Sequence, residues 1–103
     1  MIVVRRDIPA AYFERHAGDA GIRAAQGQYR AWESLAIAAR WRTPIDIKGA
    51  HPKASILKGG RVVFNIKGNA MRLVCQVNFS AGTVEIRFFG THAEYDEIDV
   101  ERI

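Results

Sequence analysis

Between positions 61 and 91 the chain reads RVVFNIKGNAMRLVCQVNFSAGTVEIRFFGT, three runs in which apolar residues recur at every second position. Val62, Phe64 and Ile66 alternate with Val63, Asn65 and Lys67. Met71, Leu73, Cys75, Val77 and Phe79 alternate with Arg72, Val74, Gln76 and Asn78, and Val84, Ile86 and Phe88 with Glu85, Arg87 and Phe89. A period of two belongs to strands with one buried face, so the pattern predicts three strands in succession. Gly68-Asn69 accepts the positive φ of a two-residue hairpin turn, and Ser80-Ala81-Gly82-Thr83 joins the second strand to the third.

The turns fix a register. Closing the first hairpin at Lys67 and Ala70 sets Asn65 opposite Arg72 and Phe64 opposite Leu73. Closing the second at Phe79 and Val84 sets Gln76 opposite Arg87 and Arg72 opposite Thr91. All the alternating apolar residues then share one face. The other face gathers Asn65, Arg72 and Thr91 in one row, with Lys67 and Arg87 within reach and His92 to Asp96 just past the strand end.

The first half of the chain supplies what covers the apolar face. MIVVRR is a short strand; Asp7 is placed to cap a helix through Tyr12 and Phe13, with Pro9 in its first turn and Gly18 ending it. Asp19 is placed to cap a longer helix whose apolar positions Ile22, Ala25, Tyr29, Trp32, Leu35 or Ala36, and Ala39 recur every three or four residues. Gly21 and Gly27 weaken its start, and Arg23, Arg30, Arg40 and Arg42 read as a solvated face. From Thr43 to Gly60 no period survives, so this segment reads as an irregular crossing with apolar anchors at Ile45, Ile47, Ile56 and Leu57. A loop of that length in a small protein is often functional.

The fold expected is therefore α+β, with N-terminal helices packed on one face of a mainly antiparallel sheet. That sheet consists of a short N-terminal strand and a three-stranded C-terminal meander. A length of 103 residues fits one domain spanning residues 1–103. No apolar run approaches the roughly 18 residues that span a bilayer, and MIVVRRDIP has no signal-peptide order. Cys75 stands alone and falls on the apolar face, where it is a buried thiol; a reducing cytoplasm is the expected compartment.

Fifteen Lys and Arg against 11 Asp and Glu give a net charge of +4, although the last eight residues, DEIDVERI, hold four acids and one arginine. A basic balance suits a polyanionic partner. His16, His51 and His92 lie in different elements, no His/Cys/Asp cluster has metal-ligand spacing, and no phosphate-cradling glycine loop is present, so neither metal nor cofactor is expected. A polar sheet face of Arg, Lys, Asn, His and Tyr suits RNA, whose 2′-hydroxyl is a built-in nucleophile. Cleavage then requires a base, an acid and a cation at the phosphate. Arg72 has the type for the phosphate clamp, His92 for acid or base, and Tyr95 for stacking or orienting a proton. The plainer alternatives are a cross-strand bond from Arg72 to Asn65, a helix cap or loop contact for His92 and a core rim for Tyr95.

GNAMRL (68–73) and THAEYD (91–96), with VFN before them and WRTPIDIK and PKASIL upstream, resemble the HigB-type toxins of bacterial type II toxin–antitoxin systems, which are similar to RelE-like mRNA interferases. The resemblance implies a compact RelE-like fold, ribosome-dependent cleavage of translated mRNA, and neutralisation by a cognate helix-turn-helix antitoxin in a hetero-oligomer. By matched motif positions Asn69 and Arg72 belong to GNxxRL, and His92, Tyr95 and Asp96 to THxEYD. The catalytic residues expected are Arg72, His92 and Tyr95, with Lys48, Asn65, Lys67, Asn69 and Arg87 expected to hold RNA. Ala70 and Met71 stand where many such toxins have an aromatic or basic residue, and the acidic C-terminus is a second departure. Two alternatives stay open: a module that binds RNA or the ribosome without cutting, and an inactive toxin-like partner of an antitoxin.

Overall fold

A computed structural model describes residues 1–103. In chain order the elements are β1 (Ile2–Val4), α1 (Asp7–Arg15), α2 (Ile22–Ala38), α3 (Pro44–Ala50), β2 (Ser55–Ile56), a 3-10 turn (Lys58–Gly60), β3 (Arg61–Ile66), β4 (Met71–Asn78), β5 (Thr83–Thr91) and α4 (His92–Tyr95). The sheet has five strands in the order β1-β5-β4-β3-β2, with β1 parallel to β5 and every other pair antiparallel. The expected α+β architecture and the three-strand meander are present. β2, a two-residue strand on the outer edge of β3, is an addition.

One side of the sheet carries the core. Val62, Phe64 and Ile66 of β3, Leu73, Cys75 and Val77 of β4, and Val84, Ile86 and Phe89 of β5 meet Ala25, Tyr29, Trp32 and Ala36 of α2. α1 adds Tyr12 and Phe13, whose rings lie 5.2 and 5.0 Å from Phe89. Each large side chain buried this way contributes about 1.5–3 kcal/mol. Cys75 is fully buried, as expected, and burial holds its thiol well above the ordinary range. No helix is long and apolar enough to cross a membrane.

The helix ends differ from expectation. Asp7 is the first residue of α1, not its cap, and pairs with Arg5 at 3.0 Å. Asp19 bonds His16 at 2.7 Å, and α2 starts three residues later behind Gly21, whose φ of 78° is the left-handed conformation that glycine tolerates. The segment 43–60 is not wholly irregular. α3 opens with a reciprocal capping box in which Thr43 accepts from the Asp46 amide and Asp46 accepts from the Thr43 amide. The fall of Pro44 at the first helical position completes a helix start that apolar periodicity could not reveal.

The first hairpin keeps the expected register, Asn65 opposite Arg72 and Phe64 opposite Leu73. Its turn spans Lys67 to Ala70, and the positive φ values fall on Lys67 (55°) and Gly68 (61°), not on Asn69. The second hairpin does not keep it. Asn78 pairs with Thr83 around the loop 79–82, so Gln76 faces Glu85 and not Arg87. A bulge then leaves Arg87 unpaired between Ile86, opposite Cys75, and Phe88, opposite Val74, so Arg72 faces Gly90 and not Thr91. An inserted residue reverses the alternation beyond it. Phe89 is therefore in the core at 4% exposure, while Phe88, which the alternation assigned to the core, is half-buried on the other face.

That other face is not bare. Arg61, Val63 and Asn65 of β3 and Arg72, Val74 and Gln76 of β4 point away from the helices, yet Val63 and Val74 are buried at 3% and 0%. The C-terminal residues reach this side of the sheet. The Arg61 guanidinium donates to the carbonyls of Val100 (3.0 Å) and Ile103 (2.8 Å) and to Gln76 Oε1 (3.0 Å), which draws the tail from the end of β5 across the sheet to the start of β3. Ile98, Val100 and Ile103 are half-buried beneath it, while Glu97, Asp99 and Glu101 are exposed.

Three outcomes follow from this packing. A Cβ at Gly90 would fall 2.8 Å from the Phe88 ring and 2.9 Å from Glu94 Oε1, so Gly90→Ala is expected to cost about 1–3 kcal/mol in urea unfolding. Removing residues 97–103 takes away the carbonyls that Arg61 bonds and the half-buried Ile98, Val100 and Ile103, so the melting temperature is expected to fall; a truncated protein melting at the wild-type temperature would contradict the strap. Burial lowers the His51 pKa from its ordinary 6.5. Below pH 6.5 the unfolded chain takes up a proton that folded His51 refuses, so stability falls as the pH drops, and His51→Phe should remove that part of the slope measured between pH 7.5 and 5.5.

Candidate functional site

The polar groups converge at one end of the sheet, where the β3–β4 turn meets the end of β5 and α4. Two links hold that corner together. The His92 amide donates to the Ala70 carbonyl at 3.0 Å, tying the start of α4 to the turn. Thr91 and Glu94 form a second reciprocal capping box, in which Glu94 Oε1 accepts from the Thr91 amide at 2.8 Å. The same oxygen accepts from the Tyr12 hydroxyl at 2.8 Å, so α1 is fastened to α4. The Thr91 amide, with the Tyr12 hydroxyl behind it, holds the Glu94 carboxyl below its usual range, and burial together with Glu94 pushes Tyr12 up to about 12.

Arg72 lies half-buried on β4 between Asn65 and Gly90. Nη1 donates to the carbonyls of Asn69 (3.0 Å) and Met71 (3.2 Å), which fixes the guanidinium against the turn. Its remaining N–H groups bond nothing in the chain and no carboxylate pairs with it, so its charge is available to an incoming anion. It does not bond Asn65. His92 opens α4 with an exposed ring, Nδ1 lying 3.1 Å from Asp96 Oδ2. An exposed imidazole can exchange a proton with a bound substrate. Tyr95, one helical turn along, is half-buried with its hydroxyl unbonded.

The residues named for RNA contact divide. Asn65 and Asn69 stand beside Arg72, the Asn69 carbonyl being one of its anchors. Lys67 turns toward the helices: its amide donates to Gln28 Oε1 at 2.9 Å and its ammonium to the Gly21 carbonyl at 3.3 Å. Arg87, the bulged residue, pairs with Glu85 at 3.0 Å and lines a groove with Asp7, Arg15 and Glu94. Lys48 is apart from the rest, its ammonium taken by the carbonyls of Pro52 (2.7 Å) and Ala54 (2.8 Å). Tyr12 was not anticipated at this corner, and Glu94 was placed there only within the run His92 to Asp96, with no role, although Thr-x-x-Glu at 91–94 is a capping-box signal legible in sequence. No three His, Cys, Asp or Glu side chains come together as a ligand set.

No curated protein matches the chain. A family model for HigB_toxin, described as the RelE-like toxic component of a toxin-antitoxin system, matches residues 25–98. That span runs from α2 through α4 and contains Lys48, Asn65, Lys67, Asn69, Arg72, Arg87, His92 and Tyr95. A toxin of such a system implies an antitoxin as its partner. With most of its length matched, the chain belongs to the HigB toxin family.

Proposed function

We propose that this toxin is a ribosome-dependent endoribonuclease that cuts translated mRNA without a metal. What supports the reading is Arg72, fixed against the β3–β4 turn without a carboxylate partner, at the corner where the His92 amide is tied to Ala70 and His92 Nδ1 lies 3.1 Å from Asp96. The 2′-oxygen of the RNA attacks the adjacent phosphorus, its proton passing to a base. Charge accumulates on the phosphoryl oxygens, where Arg72 stabilises it. The bond to the 5′-oxygen then breaks, and that oxygen leaves with a proton from an acid, giving a 2′,3′-cyclic phosphate and a 5′-hydroxyl. His92 serves one of the two proton transfers through Nε2, and Tyr95 positions the nucleotide. Asn65 and Asn69 bind RNA next to Arg72. Lys67 and Arg87 add positive charge at its two sides, and Lys48 contributes charge from farther off. The neutralising partner is a cognate helix-turn-helix antitoxin, joined to the toxin in a hetero-oligomer, and the site of action is the cytoplasm.

Expression of the wild type and of Arg72→Ala in a bacterial host, with mRNA 5′ ends mapped, tests this reading. Wild type should arrest growth with new cuts inside translated messages. Arg72→Ala should cut about 10²–10³-fold more slowly, the loss typical of one preorganised electrostatic donor. A folded Arg72→Ala protein that cuts at the wild-type rate removes the role assigned to the arginine. Arrest without cuts would replace the nuclease with a ribosome-binding inhibitor.

A further inference from the structure

α4 carries two of the three residues given roles in cleavage, yet it has little of its own to hold it. Its four residues, His92–Tyr95, are fewer than an isolated helix needs, and none of them is fully buried. Its position therefore depends on polar links. One is the bond from the His92 amide to the Ala70 carbonyl. Two more converge on a single atom, Glu94 Oε1, which accepts from the Thr91 amide and from the Tyr12 hydroxyl, both at 2.8 Å. The Thr91 bond is a local cap. The Tyr12 bond joins residues 82 positions apart and reaches α4 from the helical layer.

The donor is built to hold one position. The Tyr12 ring is 5% exposed, stacked on His16 at 4.2 Å and set edge-on to Phe89 at 5.2 Å. His16 is in turn paired with Asp19 at 2.7 Å. A hydroxyl on a ring fixed by these neighbours cannot follow α4 if α4 drifts, so the bond selects one arrangement of the two helices. The acceptor is equally committed. The Thr91 amide holds the Glu94 carboxyl below its usual range, and a hydrogen bond to an ionised acceptor is stronger than a neutral one. A carboxylate that stays ionised and takes two donors on one oxygen is a weak proton acceptor. It is suited to holding rather than to chemistry.

We propose that Tyr12 and Glu94 are positioning residues for the cleavage reaction, the Tyr12 hydroxyl fixing α4 through the Glu94 carboxylate so that His92 and Tyr95 keep a single place at the corner. The inference rests on the nuclease reading and gives α1, which otherwise only covers the sheet, a part in the rate. Arg72, Asn65 and Asn69 belong to the sheet and its turn, so loosening α4 leaves them in place. The cost then falls on turnover more than on affinity, since a misplacement of about 1 Å at a reacting group can cost about 10²-fold.

The test is the cleavage rate on purified ribosomes carrying a message, at saturating toxin, for the wild type, Tyr12→Phe, Glu94→Ala, Glu94→Gln and the double variant of Tyr12→Phe with Glu94→Ala. Tyr12→Phe keeps the buried ring and loses only the hydroxyl. It should cut about tenfold more slowly while the toxin concentration giving half the maximal rate changes less than about threefold. Glu94→Ala should fall at least as far, and the double variant no further, because the two residues act through one bond. Glu94→Gln, whose carboxamide oxygen can accept both bonds, should stay within about threefold of the wild type. A Glu94→Gln protein as slow as Glu94→Ala would mean that the carboxylate itself moves a proton, and overturns the positioning role; Tyr12→Phe cutting at the wild-type rate overturns it too. If the wild type makes no cuts, the nuclease reading fails and the link is read by amide hydrogen exchange. Tyr12→Phe should then speed exchange at the His92 and Asp96 amides about tenfold while the β4 amides hold, and equal exchange in the two proteins overturns it.

Discussion

One extra residue in β5 determines the positions of the polar groups at the end of the sheet. Were β5 regular, Phe88 would enter the core and Phe89 would leave it, and the residues that follow would swap faces. With Arg87 bulged out of the ladder, Phe89 completes the aromatic cluster with Tyr12, Phe13 and Tyr29. Gly90 comes opposite Arg72, and Thr91 turns the chain into α4. Bulges commonly re-aim side chains at functional edges, and this one exchanges a ladder position for the pairing of Arg72 with Gly90 just before the chain turns into α4. Gly90 completes the arrangement. Without a side chain it admits both the Phe88 ring and the Glu94 carboxylate into the space beside the strand.

Glu94 is the second joint. One carboxylate oxygen serves the Thr91 amide and the Tyr12 hydroxyl, so a short helix that could not hold itself is anchored at both ends, to β5 by its cap and to α1 by a long-range bond. His92 inherits its place from that anchoring and from the bond between its amide and Ala70. The geometry of the corner is thus set by groups that take no part in the proposed proton transfers.

The meander, the buried stripe of α2 and the pairing of Asn65 with Arg72 were legible in the sequence because periodicity reports directly on which face is buried. What the sequence hid has physical causes of other kinds. A bulge leaves no mark in alternation when the two residues after it, Phe88 and Phe89, are both apolar. α3 is seven residues long, too short for a helical period to show, and its evidence was the capping pattern of Thr43, Pro44 and Asp46. The basic residues near the site looked alike in one dimension. Three dimensions separate Arg72, which has no carboxylate partner, from Arg87, Lys67 and Lys48, each committed to an intrachain contact. The tail was visible only as an acidic departure, although Ile98, Val100 and Ile103 among its charges are half-buried and two of them give Arg61 its carbonyl partners.

That tail gives the polar face a direction. Its acids carry the same sign as a phosphodiester backbone and lie on the side of the sheet that Arg61 faces. A polyanion reaching Arg72 would meet repulsion over the strap, where charges within about 8 Å still act through physiological salt. It meets none of this toward the groove of Arg15 and Arg87, where Asp7 is paired with Arg5 and Glu94 is bonded to Tyr12. The two ways out of that corner are unequal in charge, so a polyanion of either polarity would be turned from the strap toward the groove.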